Sequence, residues 1–180
     1  MKLQTEQIQG YLAHGLRFIS ELDKPYEEFG KNTVHTLNGI EELFGDYCLI
    51  SKQLKDAYPT HLCKPILRKL DLTKSIKVNG VESKPIVELA KIAFPNVIHW
   101  HIAGDSSCRG GDDERYRFAY RKDLYAFVHV YYGLHISDGH VPNQKQLFKW
   151  LYTNLFDVEN LIDKGLAIDA DTLEINPYNN

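Results

Sequence analysis

The sequence predicts an α+β fold, in which a curved antiparallel sheet in the N-terminal half packs against a long C-terminal helix. One observation behind this prediction is a series of short apolar runs in residues 1–75, separated by polar or glycine-containing connections. The other is a broad apolar face in residues 144–164, where apolar side chains recur at helical spacing.

We expect a single domain, because a chain of 180 residues can bury a core without disulfides or metals. In this interpretation residues 1–75 form the sheet half and residues 76–140 form a hairpin and a variable segment. Residues 141–180 then form the C-terminal helix and a final strand.

Four short strands are predicted in the N-terminal half, after a short helix from Glu6 to Leu12 that Gly15 ends. Their spacing favours a small, strongly curved antiparallel sheet of the SH3-like partial-barrel kind. The predicted strands are Leu16–Ser20, Val34–Ile40, Tyr47–Ile50 and Cys63–Leu70.

A hairpin and a helix are predicted next. Asn79-Gly80 separates two alternating runs, Ile76–Val78 and Val81–Ser83. This dipeptide suits a type I′ turn, because both central residues of that turn need positive φ. Pro85 then opens a helix whose apolar residues share one face, and Pro95-Asn96 ends it.

The middle of the chain carries two alternating runs. In Val97–Ile102 the apolar residues alternate with His99 and His101, and in Arg115–Arg121 aromatic residues alternate with arginines. We expect the two runs to pair as a hairpin whose aromatic side is buried, so that its other side presents the histidines and arginines.

Two connecting segments flank the second run. Residues 104–114 offer hydroxyls, backbone amides and Arg109 to a phosphate, but they lack the spacing of a P-loop or a dinucleotide-binding loop. A solvated hairpin tip is therefore the favoured interpretation. Residues 122–133 fit a strand or a helix by periodicity, and we favour the helix.

The long C-terminal helix is predicted to start after Pro142-Asn143 and to end at Lys164-Gly165. The glycine can take positive φ, and Leu166 follows where a Schellman-type cap makes its hydrophobic contact. An acidic turn then leads into a final strand, Thr172–Ile175.

Composition and charge restrict the classes of function. The formal net charge of -3 argues against a dedicated binder of duplex nucleic acid, which would show a basic excess. No apolar run approaches the ~20 residues that span a membrane, so we expect no membrane partner. The 3 cysteines form no C-x-x-C pair and are interpreted as reduced thiols, which predicts a cytoplasmic protein.

Two segments resemble a known protein family. KPILRKLDLTKSIKVNG at residues 64–80 and LFKWLYTNLFDVENLIDKGLAID at residues 147–169 are similar to the conserved patterns of small proteins of unknown function. These proteins are encoded by phages and prophages of Bacteroides-type bacteria. Their patterns read roughly PILR-P-L-S-D-L-T and L-F-E-W-H-F-D-V-F-G-L-I-E-K-G-L-A-I-D.

This chain departs from those patterns at three places. Lys69 replaces a proline, the serine before Asp71 is missing, and Leu151-Tyr152 replaces a histidine-phenylalanine pair. The resemblance is loose over the N-terminal half and good over the C-terminal helix, and residues 94–139 look particular to this protein. It implies a phage origin and a fold, but it brings no assigned activity or catalytic residues.

Arginine and tyrosine concentrate in residues 97–132, a combination that suits a nucleobase with phosphates. Five basic residues in this segment are balanced by five acidic ones, which favours a compact site for a small anion over a long groove. No cofactor is predicted. The candidate ligand-binding residues are His99, His101, Arg109, Arg115, Arg117, Tyr120 and Arg121.

A metal site is the second chemical candidate. His99 and His101 would point the same way from one strand, and Asp105, or His135 with His140, would complete the ligands. The nearby arginines disfavour a cation, and neither H-E-x-x-H nor C-x-x-C occurs. Partly exposed histidines on a polar face are the favoured interpretation.

The sequence therefore predicts a non-enzymatic phage protein that binds a small anionic, nucleotide-like ligand and sequesters a host immune signal. The part about host immunity rests on the family resemblance alone. No catalytic residue is assigned, because Cys108 has no local signature of a nucleophile. We also expect a homo-oligomer, since proteins that sequester a ligand often enclose it between subunits.

Two alternatives from other classes remain open. One is a protein-binding module whose tyrosine-rich surface contacts a host or phage protein. The other is a metal-dependent hydrolase that uses His99 and His101.

Overall fold

The computed structural model describes residues 3–20, 34–43, 46–78, 80–132 and 136–179. Among these residues the chain is mostly β, with 13 strands in three sheets and three short α-helices. The predicted α+β fold with a long C-terminal helix is therefore wrong. The helices are α1 (Thr5–Ile8), α2 (Pro85–Ala93) and α3 (Gln144–Thr153).

The strands follow in chain order, and most are short. Their bounds are β1 (Arg17–Ser20), β2 (Val34–Leu43), β3 (Asp46–Ser51), β4 (Ala57–Pro59), β5 (Cys63–Leu67), β6 (Ile76–Val78), β7 (Val81–Ser83), β8 (His101–Gly104), β9 (Ser107–Gly110), β10 (Tyr116–Arg121), β11 (Ala126–Tyr132), β12 (Ile136–His140) and β13 (Ile168–Asp169).

The chain divides into two compact units. The first consists of residues 1–70 and 151–178, and the second consists mainly of residues 71–150. Among the described residues, no helix is long and apolar enough to cross a membrane.

The first unit is built on a six-stranded sheet among the described residues, in the order β13-β5-β1-β2-β3-β4. The four strands predicted in this region are confirmed as β1, β2, β3 and β5, although β4 and β13 were not expected. The predicted N-terminal helix is shorter than expected, because Gln9–His14 forms a 3-10 helix that ends at Gly15. The core includes Leu16, Phe18, Leu49 and Leu67, each fully buried.

Two segments far apart in the chain are joined in this sheet. Strand β13 pairs in parallel with β5, so that Ile66 lies opposite Ile168 and Leu67 lies opposite Asp169. One residue further on, Arg68 forms a parallel β-bridge with Phe156. The PILR segment and the C-terminal motif are thus neighbours in space.

The C-terminal helix α3 ends at Thr153, well before the predicted Gly165. Leu155 takes the left-handed conformation with φ of 61°. The backbone N–H groups of Leu155 and Phe156 donate to the carbonyls of Tyr152 and Leu151 at 3.0 and 3.1 Å, the pattern of a Schellman cap.

Pairing with the chain beyond β5 explains why the helix stops. The N–H of Arg68 donates to the carbonyl of Leu155, and the N–H of Asp157 donates to the carbonyl of Arg68, both at 2.8 Å. The Leu155 carbonyl and the Asp157 N–H serve the β-bridge. The one proton of the Asp157 N–H cannot also be donated to the carbonyl four residues earlier, as a continuing helix would require. The long-range pairing therefore replaces the helix that periodicity predicts.

The predicted cap at Gly165 nevertheless forms. Gly165 has φ of 71°, its N–H donates to the carbonyl of Ile162, and the N–H of Leu166 donates to the carbonyl of Leu161 at 2.8 Å. Leu166 is buried, as that motif requires. The cap closes a series of turns instead of a helix.

The predicted final strand, Thr172–Ile175, is absent from the described residues. Ala170–Thr172 forms a 3-10 turn, and the carboxylate of Asp169 accepts a hydrogen bond from the N–H of Asp171. The last strand is β13, two residues that precede this turn. Because the Asp169 carboxylate accepts a backbone N–H within this turn, the turn is stabilised and extended structure stops there.

The second unit contains an antiparallel sheet of five described strands, in the order β12-β11-β10-β9-β8. A separate hairpin of β6 and β7 confirms the prediction for Ile76–Ser83, and Gly80 has φ of 79°. Asn79 lies outside the described residues. Helix α2 begins at Pro85 as predicted and buries Ile86 and Leu89.

The pairing predicted for the middle segment is wrong. Strand β9 lies between β8 and β10, and β8 begins only at His101. Residues 104–114 are therefore not a solvated tip, because Cys108 is fully buried. A Cβ atom on Gly110 would lie 2.6 Å from the Trp100 ring, so only glycine allows this close approach.

The helix favoured for residues 122–133 is also wrong. Tyr125, with φ of 47°, closes a turn, and β11 then pairs along its length with β10. The rings of Phe118 and Phe127 stack at 5.5 Å on the buried face. The side chain of Gln144 in α3 bonds to both the N–H and the carbonyl of Phe127. These contacts hold the segment extended.

Candidate functional site

Three side chains with basic groups lie side by side on one face of the five-stranded sheet. His101 of β8 pairs with Arg109 of β9, and Arg109 pairs with Arg117 of β10. Directly paired residues of antiparallel strands point to the same face, with Cα atoms about 4.5–5.5 Å apart. All three residues are exposed. We call His101, Arg109 and Arg117 the basic row.

One carboxylate contacts two members of the basic row. Oε1 of Glu114 lies 3.5 Å from Nε2 of His101, and Oε2 lies 3.4 Å from Nη1 of Arg109. The Glu114 side chain is 52% exposed, and its backbone has φ of 56°. The left-handed conformation costs a residue of this type about 1–2 kcal/mol.

Arg117 lies at the other end of the row, between Arg109 and Val130 of β11. In the ranges that the structure describes, no carboxylate forms an ion pair with it. The guanidinium is exposed on strand β10, whose neighbouring positions alternate between buried and exposed. Arg117 therefore offers an anion a planar fork of donors.

The other two predicted arginines are already engaged. Arg115 forms a salt bridge with Asp113, and its pKa is raised by a hydrogen bond with the Tyr131 side chain and by the charge of Asp113. Arg121 makes two hydrogen bonds to Asp123, at 2.9 and 2.7 Å, and this pairing raises its pKa while it lowers that of Asp123. Neither belongs to the basic row.

Tyr120, the aromatic residue in the predicted site, lies away from the basic row. Its side chain is buried, and its ring packs 5.1 Å from that of Phe127 and 6.3 Å from that of Phe148. Strand alternation puts it on the face opposite Arg117. Tyr120 is thus a core residue that holds β10 in place.

A different tyrosine shares the face of the basic row. Tyr132 lies two residues beyond Val130, the partner of Arg117, and it is 41% exposed. Tyr132 was not among the predicted site residues, because residues 122–133 were interpreted as a helix and not as the strand β11. The run AFVHVYY is rich in β-branched and aromatic residues, and this composition is the signal that would have indicated a strand.

The structure does not support the geometry proposed for a histidine pair. His99 has φ of 62° and lies before β8, so it does not share a strand with His101. Asp105 is exposed in the turn after β8, and His140 is exposed at the end of β12. Among the described residues, no three His, Cys, Asp or Glu side chains form a group that would hold a metal ion. His135 lies outside these residues.

Cys108 is held in a state unsuited to nucleophilic chemistry. It is fully buried beneath α2, with its Sγ 3.7 Å from the carbonyl oxygen of Ile86. Burial raises the pKa of its thiol to about 12. The reactive form of cysteine is the thiolate, which is scarce at neutral pH for such a thiol.

Comparison of the chain with protein-family models, with curated proteins and with solved structures finds no match.

Proposed function

We propose that the protein binds a small anionic, nucleotide-like ligand through the basic row and does not itself catalyse a reaction. The observation that carries this proposal is the alignment of His101, Arg109 and Arg117 on three adjacent strands. Adjacent strands lie about 4.8 Å apart, so neighbouring guanidinium groups can contact one phosphate or successive phosphates.

The charge of the face also suits a compact anion. Arg109 and Arg117 carry two positive charges, Glu114 carries one negative charge, and His101 adds a further positive charge only when protonated. A long polyanion would need a larger basic surface. Tyr132, exposed on the same face, supplies a ring on which a base can stack.

The biological setting is part of the proposal. The two segments similar to the phage and prophage family support a phage protein acting in the cytosol of its host, where it would sequester a nucleotide signal of host immunity. Parts of those two segments, residues 66–68 and 156–169, pair with each other in the first unit, and the basic row lies in the second. The family resemblance therefore supports the setting, whereas the basic row supports the ligand class.

The test measures binding of inorganic pyrophosphate and of adenosine triphosphate by calorimetry, at 50 and 300 mM salt. Arg117→Ala and Arg109→Ala should each weaken binding by about tenfold, since a hydrogen bond to a charged group contributes about 1.5–3 kcal/mol. Higher salt should weaken binding to the wild-type protein, because exposed charges are screened.

Arg121→Ala is the matched control. It removes the same charge from the same strand, but Arg121 is already paired with Asp123 outside the row. Its affinity should stay within about twofold of the wild-type value. If all three substitutions have equal effects, the row is not the binding site. If neither compound binds the wild-type protein, a small phosphate ligand is ruled out.

A second candidate function is protein binding by strand addition at β8. This strand is at an edge of the described sheet. Its Ile102 is 38% exposed, and Ile98, three residues before the strand begins, is 62% exposed. An exposed edge with apolar side chains pairs readily with another strand. If a second copy of the chain is the partner, light scattering should detect a dimer that Ile102→Lys converts to monomer. A wild-type monomer at high concentration would exclude self-association by this route.

A further inference from the structure

Glu114 is placed where an anionic ligand of the basic row would lie. Its two carboxylate oxygens reach two different members of the row, His101 and Arg109, instead of forming a fork with one of them. Both distances, 3.5 and 3.4 Å, are longer than the about 2.7–2.9 Å of a strong charge-assisted hydrogen bond. The carboxylate therefore occupies the positive field without being tightly bound.

The local backbone limits where this carboxylate can go. Glu114 has a positive φ, and its N–H donates to the carbonyl of Gly111 at 3.1 Å. The preceding acid in the chain, Asp113, contacts Arg115 through its side chain. Two neighbouring acids are thus directed to different basic partners, and only Glu114 contacts the row.

We infer that Glu114 is an internal competitor of the ligand, which it must leave the row to admit. This inference rests on the proposed function, because it assumes that the row binds an anion. A chain-borne carboxylate is always present at high effective concentration. The apparent affinity for an external anion is then the intrinsic affinity multiplied by the fraction of molecules in which Glu114 has left the row.

Competition has a signature that a simple electrostatic field lacks. If Glu114 must move away, its removal tightens binding of every anion at this site by one common factor. If Glu114 only repels anions through space, its removal tightens binding more for an anion of higher charge. Two probes of different charge, inorganic phosphate and inorganic pyrophosphate, separate these two cases.

The experiment compares Glu114→Gln with the wild-type protein and with Asp112→Asn, by calorimetry at 150 mM salt. Glu114→Gln removes the charge and keeps the length of the side chain. Asp112→Asn removes an equal charge from an exposed residue two positions away, which contacts no member of the row among the described residues. It therefore reports the effect of net charge alone.

We expect Glu114→Gln to tighten the binding of both probes by a similar factor, about two- to fivefold, the size of effect that exposed ion pairs produce. Asp112→Asn should change either affinity by less than that. The inference is wrong if Glu114→Gln leaves both affinities unchanged. It is also wrong if Glu114→Gln tightens the binding of pyrophosphate more than that of phosphate, in proportion to probe charge.

Failure of the proposed function gives a different result. In that case neither probe binds the wild-type protein or Glu114→Gln, or Arg117→Ala binds both as well as the wild-type protein does. When Arg117→Ala weakens binding and Glu114→Gln has no effect, the row is the site and only the role of Glu114 is excluded.

Discussion

The hydroxyl of Tyr11 donates a hydrogen bond of 2.8 Å to the backbone carbonyl of Phe156, 145 positions later in the chain. The same hydroxyl accepts a hydrogen bond of 3.1 Å from the N–H of Val158. Tyr11 is fully buried, so the two backbone groups have no access to water. One side chain thus bonds to two backbone groups in the segment that follows α3, on either side of the Asp157 N–H that bonds to Arg68.

Tyr11→Phe should destabilise the first unit, because it removes two buried hydrogen bonds, each of which contributes about 0.5–1.5 kcal/mol. The expected loss in the free energy of unfolding is about 1–3 kcal/mol, measured by urea denaturation. Tyr152→Phe is the control, since the Tyr152 hydroxyl donates to the side chain of Glu159 in a partly exposed position. It should cost less than about 1 kcal/mol. Equal losses for the two variants would mean that the Tyr11 hydrogen bonds do not stabilise the turn.

The burial of the Asp157 carboxylate predicts that the free energy of unfolding depends on pH. Its carboxylate accepts the N–H groups of Leu161 and Ile162 at 2.7 and 2.8 Å. Burial nevertheless raises the pKa of Asp157, although these two hydrogen bonds act in the opposite direction. The folded state then holds more protons than the unfolded state between the unfolded value of about 3.9 and the raised value, so stability falls as pH rises through this window.

The stability of the wild-type protein relative to Asp157→Asn should therefore decrease as pH rises above about 4. Urea denaturation of both proteins at a series of pH values measures this difference, in which the titration of other groups largely cancels. A difference that grows with pH would show that the pKa of Asp157 is lowered instead.

Tyr178 should ionise later than an ordinary tyrosine. Its hydroxyl donates to the carbonyl of Ile66 and accepts from the N–H of Arg17, and burial raises its pKa to about 12. Subtracting the alkaline ultraviolet titration of Tyr178→Phe from that of the wild-type protein should leave one transition near pH 12. Because the unfolded value is about 10, this group contributes stability that is fully present below pH 10 and declines towards pH 12. A difference transition near pH 10 would contradict this assignment.

The cysteines should react slowly with a thiol reagent in the native protein. Cys48, Cys63 and Cys108 are all buried, and the pKa of Cys108 is raised to about 12. At pH 8 we expect little reaction with an aromatic disulfide reagent over minutes, and reaction of all 3 thiols once urea unfolds the chain. Rapid labelling of Cys108 in the native protein, identified by mass spectrometry, would contradict the burial of this thiol in β9.

Local patterns in the sequence predict much of the first unit. Strands β1, β2, β3 and β5 lie where apolar runs between turn residues indicate them. The hairpin of β6 and β7 and the start of α2 are also predicted correctly, because Asn79-Gly80 and Pro85 act over a few residues. These features depend on interactions between near neighbours in the chain.

The candidate site was predicted only in part. The alternation of Arg117 with Phe118 and Tyr120 correctly predicts which face of β10 is exposed. It does not predict that β9 lies beside β10, and therefore it does not place Arg109 next to Arg117. A glycine-rich segment is typical of a loop. A local sequence pattern does not predict that Gly110 packs closely against Trp100, because the two residues are ten positions apart.

The sequence by itself determined local features, namely the turn at Gly80, the cap at Gly165 and the exposed side of β10. The Gly165 cap shows this, since it forms even though the helix before it does not. The tertiary structure decided which strands pair and where α3 ends. The reason is that the carbonyl of Leu155 and the N–H of Asp157 can complete either a helix or a bridge to Arg68, and only the folded chain brings Arg68 to them. The same kind of long-range pairing aligns His101, Arg109 and Arg117 on one face.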